Sequence, residues 1–106
     1  MQLDQSTIDE IVRRVLSVSR PDRIILFGSA AHGTMTQDSD VDLLVLEEDP
    51  GNTREESARI GGAMYGLNLP VDVIVLSTFR FEETKGVVGG IAYPANKHGR
   101  VIYEGT

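Results

Sequence analysis

The chain has 106 residues, with 10 Lys or Arg against 16 Asp or Glu, and its formal net charge is −6. This length predicts one domain over residues 1–106, and the acidic balance disfavours direct binding of a nucleic-acid backbone. The absence of Cys excludes disulfide frameworks and thiolate sites, and the apolar runs are too short to cross a membrane, so we expect a cytoplasmic protein with no membrane association.

The first half of the chain predicts one helix and two strands. Ser6 or Thr7 is the expected N-cap of an amphipathic helix, whose apolar face carries Ile8, Ile11, Val12, Val15 and Leu16. Apolar, β-rich runs at 23–27 and 41–46 are typical of buried strands. The acidic residues that follow, at 47–49, are expected to form the exposed end of the second strand.

The second half predicts another helix and two further strands. Thr53 with Glu56 can cap a helix running to about Leu67, and strands are expected at 71–76 and, on the sheet edge, at 100–104. Glycines and Pro94 predict broken helical turns over 79–98. Because strands and helices alternate, we predict an α/β fold with a small mixed sheet of about four strands flanked by helices.

Three aspartates occupy positions that a plain strand would not favour. Asp40 and Asp42 stand two apart at the head of the second strand, and Asp72 stands at the head of the third. Asp is depleted in strands, and residues two apart project from the same face, so their charges repel. A bound Mg²⁺ would remove that repulsion, since it takes ligands from one or two carboxylates plus substrate phosphates.

These residues predict a topology. Gly28 and Ser29 close the first strand, whereas the aspartates open the second and third. The two groups meet at one end of the sheet only if the second strand is antiparallel to the first and the third is parallel to the second. The predicted helix at 53–67 is long enough for the crossover that a parallel pair needs.

Such a site suits nucleotidyl or phosphoryl transfer with two Mg²⁺ ions, roughly 3.5–4 Å apart. Asp40 and Asp42 would hold both ions, and Asp72 would complete the site of the ion nearest the attacking hydroxyl. Ser29, beside the backbone N–H groups after Gly28, would contact a phosphate.

The run Phe27-Gly28-Ser29, followed by Asp40-Val41-Asp42 and then Asp72, resembles the minimal nucleotidyltransferases of the DNA polymerase β-like superfamily. The resemblance covers about residues 23–76. It implies transfer of AMP from Mg²⁺-bound ATP to a hydroxyl of a partner protein. It also implies an antitoxin paired with a HEPN-domain toxin.

The chain departs from this family between Ser29 and Gly33. Members commonly carry Arg here, whereas this chain has Ala30, Ala31 and His32. A neutral imidazole does not replace a guanidinium in neutralising triphosphate charge, although His32 can still donate a hydrogen bond to the nucleotide.

Several alternatives remain open at this point. A catalytically weak antitoxin could act by stoichiometric binding of its toxin, and a third reading is a regulatory nucleotide-binding domain. A calcium loop starting at Asp38 lacks its glycine, and a P-loop has Thr34 where Lys is required. The apolar residues between Phe79 and Pro94 form either a partner surface or a cover for the sheet, and homo-oligomerisation is not decided.

Overall fold

The computed structural model describes residues 3–33 and 39–105, so the interpretations that depend on Thr34 and Asp38 lie outside it. Within these ranges the chain forms a mixed four-stranded sheet flanked by five helices, which confirms the predicted α/β fold. The elements in chain order are α1 (Gln5–Val18), β1 (Arg23–Phe27), α2 (Ser29–His32), β2 (Val41–Glu47), α3 (Thr53–Gly62), β3 (Val71–Ser77), α4 (Thr78–Thr84), α5 (Ala92–His98) and β4 (Arg100–Glu104).

The sheet has the strand order β3-β2-β1-β4. Strand β1 is antiparallel to both β2 and β4, and β2 is parallel to β3. Both relations predicted from the aspartates are therefore confirmed, as is the edge position of β4. Helix α3 makes the crossover between the two parallel strands.

The predicted N-caps are wrong by two or three residues for α1 and by one residue for α3. Asp4 caps α1, because its carboxylate accepts the Thr7 N–H at 2.8 Å. Asn52 caps α3 by accepting the Glu55 N–H at 3.0 Å. In each helix the capping residue precedes the Ser or Thr that the sequence pattern favoured. Asp and Asn are at least as good N-caps as Ser and Thr, so the earlier residue can take this position.

Helix α3 also ends earlier than predicted, at Gly62 and not near Leu67. Residues 63–69 form turns, and Asn68 adopts a positive φ of 62°. Glycine is a weak helix former, so the pair Gly61-Gly62 favours termination where the apolar pattern alone suggested continuation.

Side chains on the two faces of the sheet form separate cores. One face packs against α1 and α3; its buried members include Ile11, Val15, Ile24, Leu26, Val41, Leu43, Val45, Ile60, Val73 and Val75. The other face packs against α4 and α5; its buried members are Ile25, Leu44, Leu46, Phe81, Ala92 and Ala95. Burial on both faces explains why the strands are nearly continuous apolar runs.

The apolar side chains between Phe79 and Pro94 divide into buried ones, which cover the sheet, and exposed ones, for which a partner surface stays a prediction. Phe81 on α4 is 0% exposed and covers the sheet, whereas Phe79 is 72% and Val88 77% exposed. Two short helices, α4 and α5, replace the single helix that the glycines interrupt, as predicted. No helix among the described residues is long and apolar enough to cross a membrane.

Candidate active site

The parallel pairing of β2 and β3 brings two of the predicted carboxylates side by side. Asp42 is the register partner of Asp72, and Phe27, the last residue of β1, is the partner of Asp42 on its other side. Neighbouring strands lie about 4.8 Å apart, so the C-terminal end of β1 and the N-terminal ends of β2 and β3 lie within a short distance of one another. Asp40 is exposed and directly precedes β2.

The aspartates share the sheet face that carries α4 and α5. Along β2, Asp42 has the same parity as Leu44 and Leu46, which are buried in the core on that face. Along β3, Asp72 has the same parity as Ile74 and Leu76, which pack against that core as well. The carboxylates therefore stand where the apolar face ends and solvent begins.

Negative charge is concentrated around Asp42 in this arrangement. Partial burial raises the pKa of Asp42, and the neighbouring charges of Asp72 and Asp40 raise this pKa further. Both causes disfavour a bare carboxylate, one through lost hydration and the other through like-charge repulsion. A cation bound between the carboxylates would relieve both.

Gly28 lets the backbone after β1 approach this carboxylate. It has φ 67° and ψ −148°, a region that essentially only glycine occupies. A Cβ at position 28 would lie 2.5 Å from Oδ2 of Asp42, closer than such atoms approach in proteins. Glycine is therefore required here both for its conformation and for the space that it leaves.

The short helix α2 follows Gly28 and contains Ser29 and His32. Ala30 is buried in the core beneath α1, whereas Ser29 and Ala31 are half-buried and His32 is exposed. Position 30, one of those at which the minimal nucleotidyltransferases commonly carry Arg, therefore faces the core. His32 is the polar side chain at the solvent end of this turn.

The carboxylates of Asp40, Asp42 and Asp72 suit a hard cation, but the three do not converge on a single position. Within residues 3–33 and 39–105, no three acidic, histidine or cysteine side chains are grouped closely enough to hold one metal ion. Mg²⁺ characteristically uses one or two protein carboxylates and completes its shell with water and substrate phosphates. The adjacent pair Asp42 and Asp72 fits that requirement, and Asp40 lies within reach of electrostatic coupling to it.

Two features of the structure were missed by the sequence analysis. His98 is an exposed residue whose ring lies against that of His32, with ring centroids 5.7 Å apart. Glu47, expected at an exposed strand end, is only 7% exposed and accepts a hydrogen bond from the Ser19 hydroxyl at 2.5 Å. Both depend on contacts between distant parts of the chain, for which a single sequence carries no local signal.

Glu47 lines a groove at the other end of β2, with a volume of about 730 Å³. The groove also includes Glu48, Glu56 and Arg59, and burial is the main cause that raises the pKa of Glu47. Because β2 runs from Asp42 at one end to Glu47 at the other, this groove is separate from the end of the sheet that carries Asp40, Asp42 and Asp72, which we call the aspartate edge.

The fold has counterparts among known proteins. The family model of the nucleotidyltransferase domain matches residues 8–94. No curated protein sequence matches the chain.

Three solved structures share the fold. A toxin–antitoxin structure with AMP-PNP has a TM-score of 0.60 at 18% identity, over 93% of this chain and 74% of that one. A candidate nucleotidyltransferase from Sulfolobus solfataricus has a TM-score of 0.63 at 20% identity, over 93% and 78%. A variant of the toxin–antitoxin pair MntA-HpeT with two Asp-to-Glu substitutions, two positions apart, has a TM-score of 0.66 at 19% identity, over 98% and 76%.

Proposed function

This chain belongs to the nucleotidyltransferase domain family, and from that premise we propose that it transfers AMP from Mg²⁺-bound ATP to a hydroxyl group of a partner protein. The observation that carries the proposal is the pairing of Asp42 with Asp72 beside Gly28, with Asp40 just before the same strand. We take residues 1–106 to act as a single domain in this reaction.

Each residue of the aspartate edge has a role in the proposal. Asp40 and Asp42 would hold two Mg²⁺ ions, and Asp72 would complete the ligand set on the side of the attacking hydroxyl. When bound, the two ions would lower the pKa of that hydroxyl and stabilise the leaving pyrophosphate. Gly28 leaves room for Asp42, Ser29 donates its hydroxyl to a phosphate oxygen, and His32 donates a ring N–H to the nucleotide.

The partner we propose is a toxin, and by the family resemblance a HEPN-domain toxin, and we propose that the pair acts in the cytoplasm. Two of the similar folds come from toxin–antitoxin structures, one of them with AMP-PNP. In the other, the two substituted aspartates have the same spacing as Asp40 and Asp42. AMP transfer to a toxin would make this chain the antitoxin of the pair.

The proposal is tested by incubating α-labelled ATP and Mg²⁺ with a lysate that contains the presumed partner. We expect wild type to label a protein band, and Asp40→Asn combined with Asp42→Asn to abolish that band. Asp49→Asn is the matched control, because Asp49 is an exposed acid beyond the opposite end of β2. Persistence of the labelled band in the double variant would refute the assignment of the site.

A second candidate function is an antitoxin that neutralises its toxin by stoichiometric binding. The turn that follows Ser29 favours it, because Ala30 and Ala31 stand there and neither presents a guanidinium to a triphosphate. This function predicts full neutralisation by the Asp40→Asn, Asp42→Asn variant in the absence of ATP. Neutralisation that requires ATP and fails with the variant would exclude it.

A further inference from the structure

Two histidines from distant parts of the chain meet at the aspartate edge. The ring centroids of His32, at the end of α2, and His98, at the end of α5, are 5.7 Å apart with an interplanar angle of 56°. Both residues are exposed. The rings are therefore accessible to a ligand that approaches the site from solvent.

The packing of α5 on β1 holds His98 in this position. Ala92 and Ala95 of α5 are buried against the sheet, and the Gly99 N–H donates to the Ala95 carbonyl at 2.9 Å. A Cβ at Gly99 would collide with that carbonyl oxygen and would lie 2.6 Å from Cγ2 of Ile25. Glycine at 99 thus allows the end of α5 to lie directly on the end of β1.

The contact of α5 with β1 places His98 at the aspartate edge. Arg100, the first residue of β4, is the register partner of Leu26, which lies two residues before Gly28. Helix α5 covers the sheet face to which Asp42 and Asp72 belong by parity. His98 therefore shares both the edge and the face of the carboxylates, across the end of β1 from them.

The two basic residues nearest His98 in the chain, Lys97 and Arg100, have other contacts or orientations. The Lys97 ammonium group lies 3.2 Å from the Tyr93 hydroxyl and 5.5 Å from the centre of its ring. Arg100 pairs with Leu26, whose side chain belongs to the core on the α1 face, so Arg100 projects away from the carboxylates. The ion pairs found among the described residues include neither histidine.

We propose that His32 and His98 form a phosphate-binding pair that holds the phosphate tail of the nucleotide opposite the metal-binding carboxylates. This inference rests on the proposed function and adds to it a group supplied by α5. Each imidazole has at least one ring N–H to donate whatever its protonation state, and a protonated ring adds charge.

The pair compensates for the missing arginines by a long-range contact. Position 30 is buried and position 31 is half-buried, so α2 alone presents only His32 as a donor side chain beyond Ser29. The second donor comes from the far end of the chain, through Gly99. A phosphate tail seated there would extend away from Asp72, where the acceptor hydroxyl is proposed to enter.

The chain contains only two histidines, which makes ring NMR signals a direct readout. In protein freed of any histidine tag, imidazole resonances are followed during addition of Mg²⁺ with ATP, with inorganic triphosphate or with AMP. We expect both rings to shift with ATP and with inorganic triphosphate, and neither ring to shift with AMP.

Affinity measurements on variants complete the test. His98→Gln should weaken binding of Mg²⁺-ATP by about tenfold, the scale of one charge-assisted hydrogen bond, and should leave AMP binding unchanged. Lys97→Gln is the matched control, since it removes an adjacent exposed cation that is engaged with Tyr93, and it should leave both affinities unchanged.

The failures of the two proposals are distinguishable. If ATP binds, as reported by the amide signals of Gly28 and Ser29, while both rings remain unshifted, the histidine pair is refuted and the proposed function stands. If neither ATP nor triphosphate moves any signal, both proposals fall. If Zn²⁺ shifts the rings and triphosphate does not, the pair is a transition-metal site and the inference is overturned.

Discussion

Replacing Gly28 with Ala should reveal how closely the backbone after β1 approaches the carboxylate of Asp42. An L-residue at this φ and ψ costs about 1–3 kcal/mol in backbone strain. The new Cβ would also lie 2.5 Å from Oδ2 of Asp42, and relieving such an overlap costs about 1–3 kcal/mol more. We therefore expect Gly28→Ala to lower the free energy of unfolding by about 2–6 kcal/mol.

Gly51→Ala separates the two contributions. Gly51 also has a positive φ, 66°, but a Cβ there would meet nothing within 4 Å. It should cost only the conformational part, about 1–2 kcal/mol. Urea denaturation of both variants measures the difference, and a double-mutant cycle with Asp42→Ala should recover the steric part of the Gly28→Ala cost.

The same substitution should disturb the proposed reaction. Relief of the overlap requires Asp42 to move by an amount approaching 1 Å, and a misplacement of about 1 Å costs on the order of 10²-fold in rate. Transfer of label should fall by that order in Gly28→Ala and remain unchanged in Gly51→Ala. The reasoning is refuted if Gly28→Ala is no more destabilising than Gly51→Ala, or if its cost is the same with and without the Asp42 carboxylate.

Three further predictions concern stability. Since the folded pKa of Asp42 is raised, the contribution of this carboxyl to folding stability is favourable at low pH and is lost as pH rises through that pKa. Asp42→Asn should therefore raise Tm at neutral pH without Mg²⁺, and Mg²⁺ should raise Tm in wild type only. Thermal melts in which Asp42→Asn has the lower Tm without Mg²⁺ would contradict the repulsion. The raised pKa of Glu47 has the same sign, so stability should fall as pH rises above its ordinary value of 4.5. Glu47→Gln should flatten that pH dependence, and parallel curves for the two proteins would disprove the assignment. Phe81→Ala should lower the free energy of unfolding by about 3–5 kcal/mol because the side chain is 0% exposed. Phe79→Ala should change it by less than about 0.5 kcal/mol because that side chain is 72% exposed. Equal urea midpoints for the two variants would contradict the assignment of Phe81 to the core and Phe79 to the surface.

The sequence predicted the sheet topology because charge and apolar pattern agreed. Asp42 and Asp72 open apolar strands while Gly28 closes one, and that placement is consistent with one arrangement of three strands. Helix ends were less predictable, since Thr53 was the expected cap of α3, yet the adjacent Asn52, an equally good cap type, has the backbone geometry of the cap.

Long-range contacts explain what the sequence could not reveal. His98 gains its neighbour His32 only because Gly99 allows α5 to lie on β1. Glu47 looked like the first residue of an exposed acidic run, yet it is buried where Ser19 and Glu56 meet the end of β2. Neither side chain carries a local pattern that reports these distant partners.

The central claim is that the aspartate edge transfers a nucleotidyl group. The most direct measurement incubates the purified chain and its partner with Mg²⁺ and ATP labelled at either the α or the γ phosphate, using wild type, Asp72→Asn and the control Asp49→Asn. We predict that only the α label appears on the partner, in wild type and in the control, and that it disappears in Asp72→Asn. Transfer of the γ label, or undiminished α label with Asp72→Asn, would contradict the account.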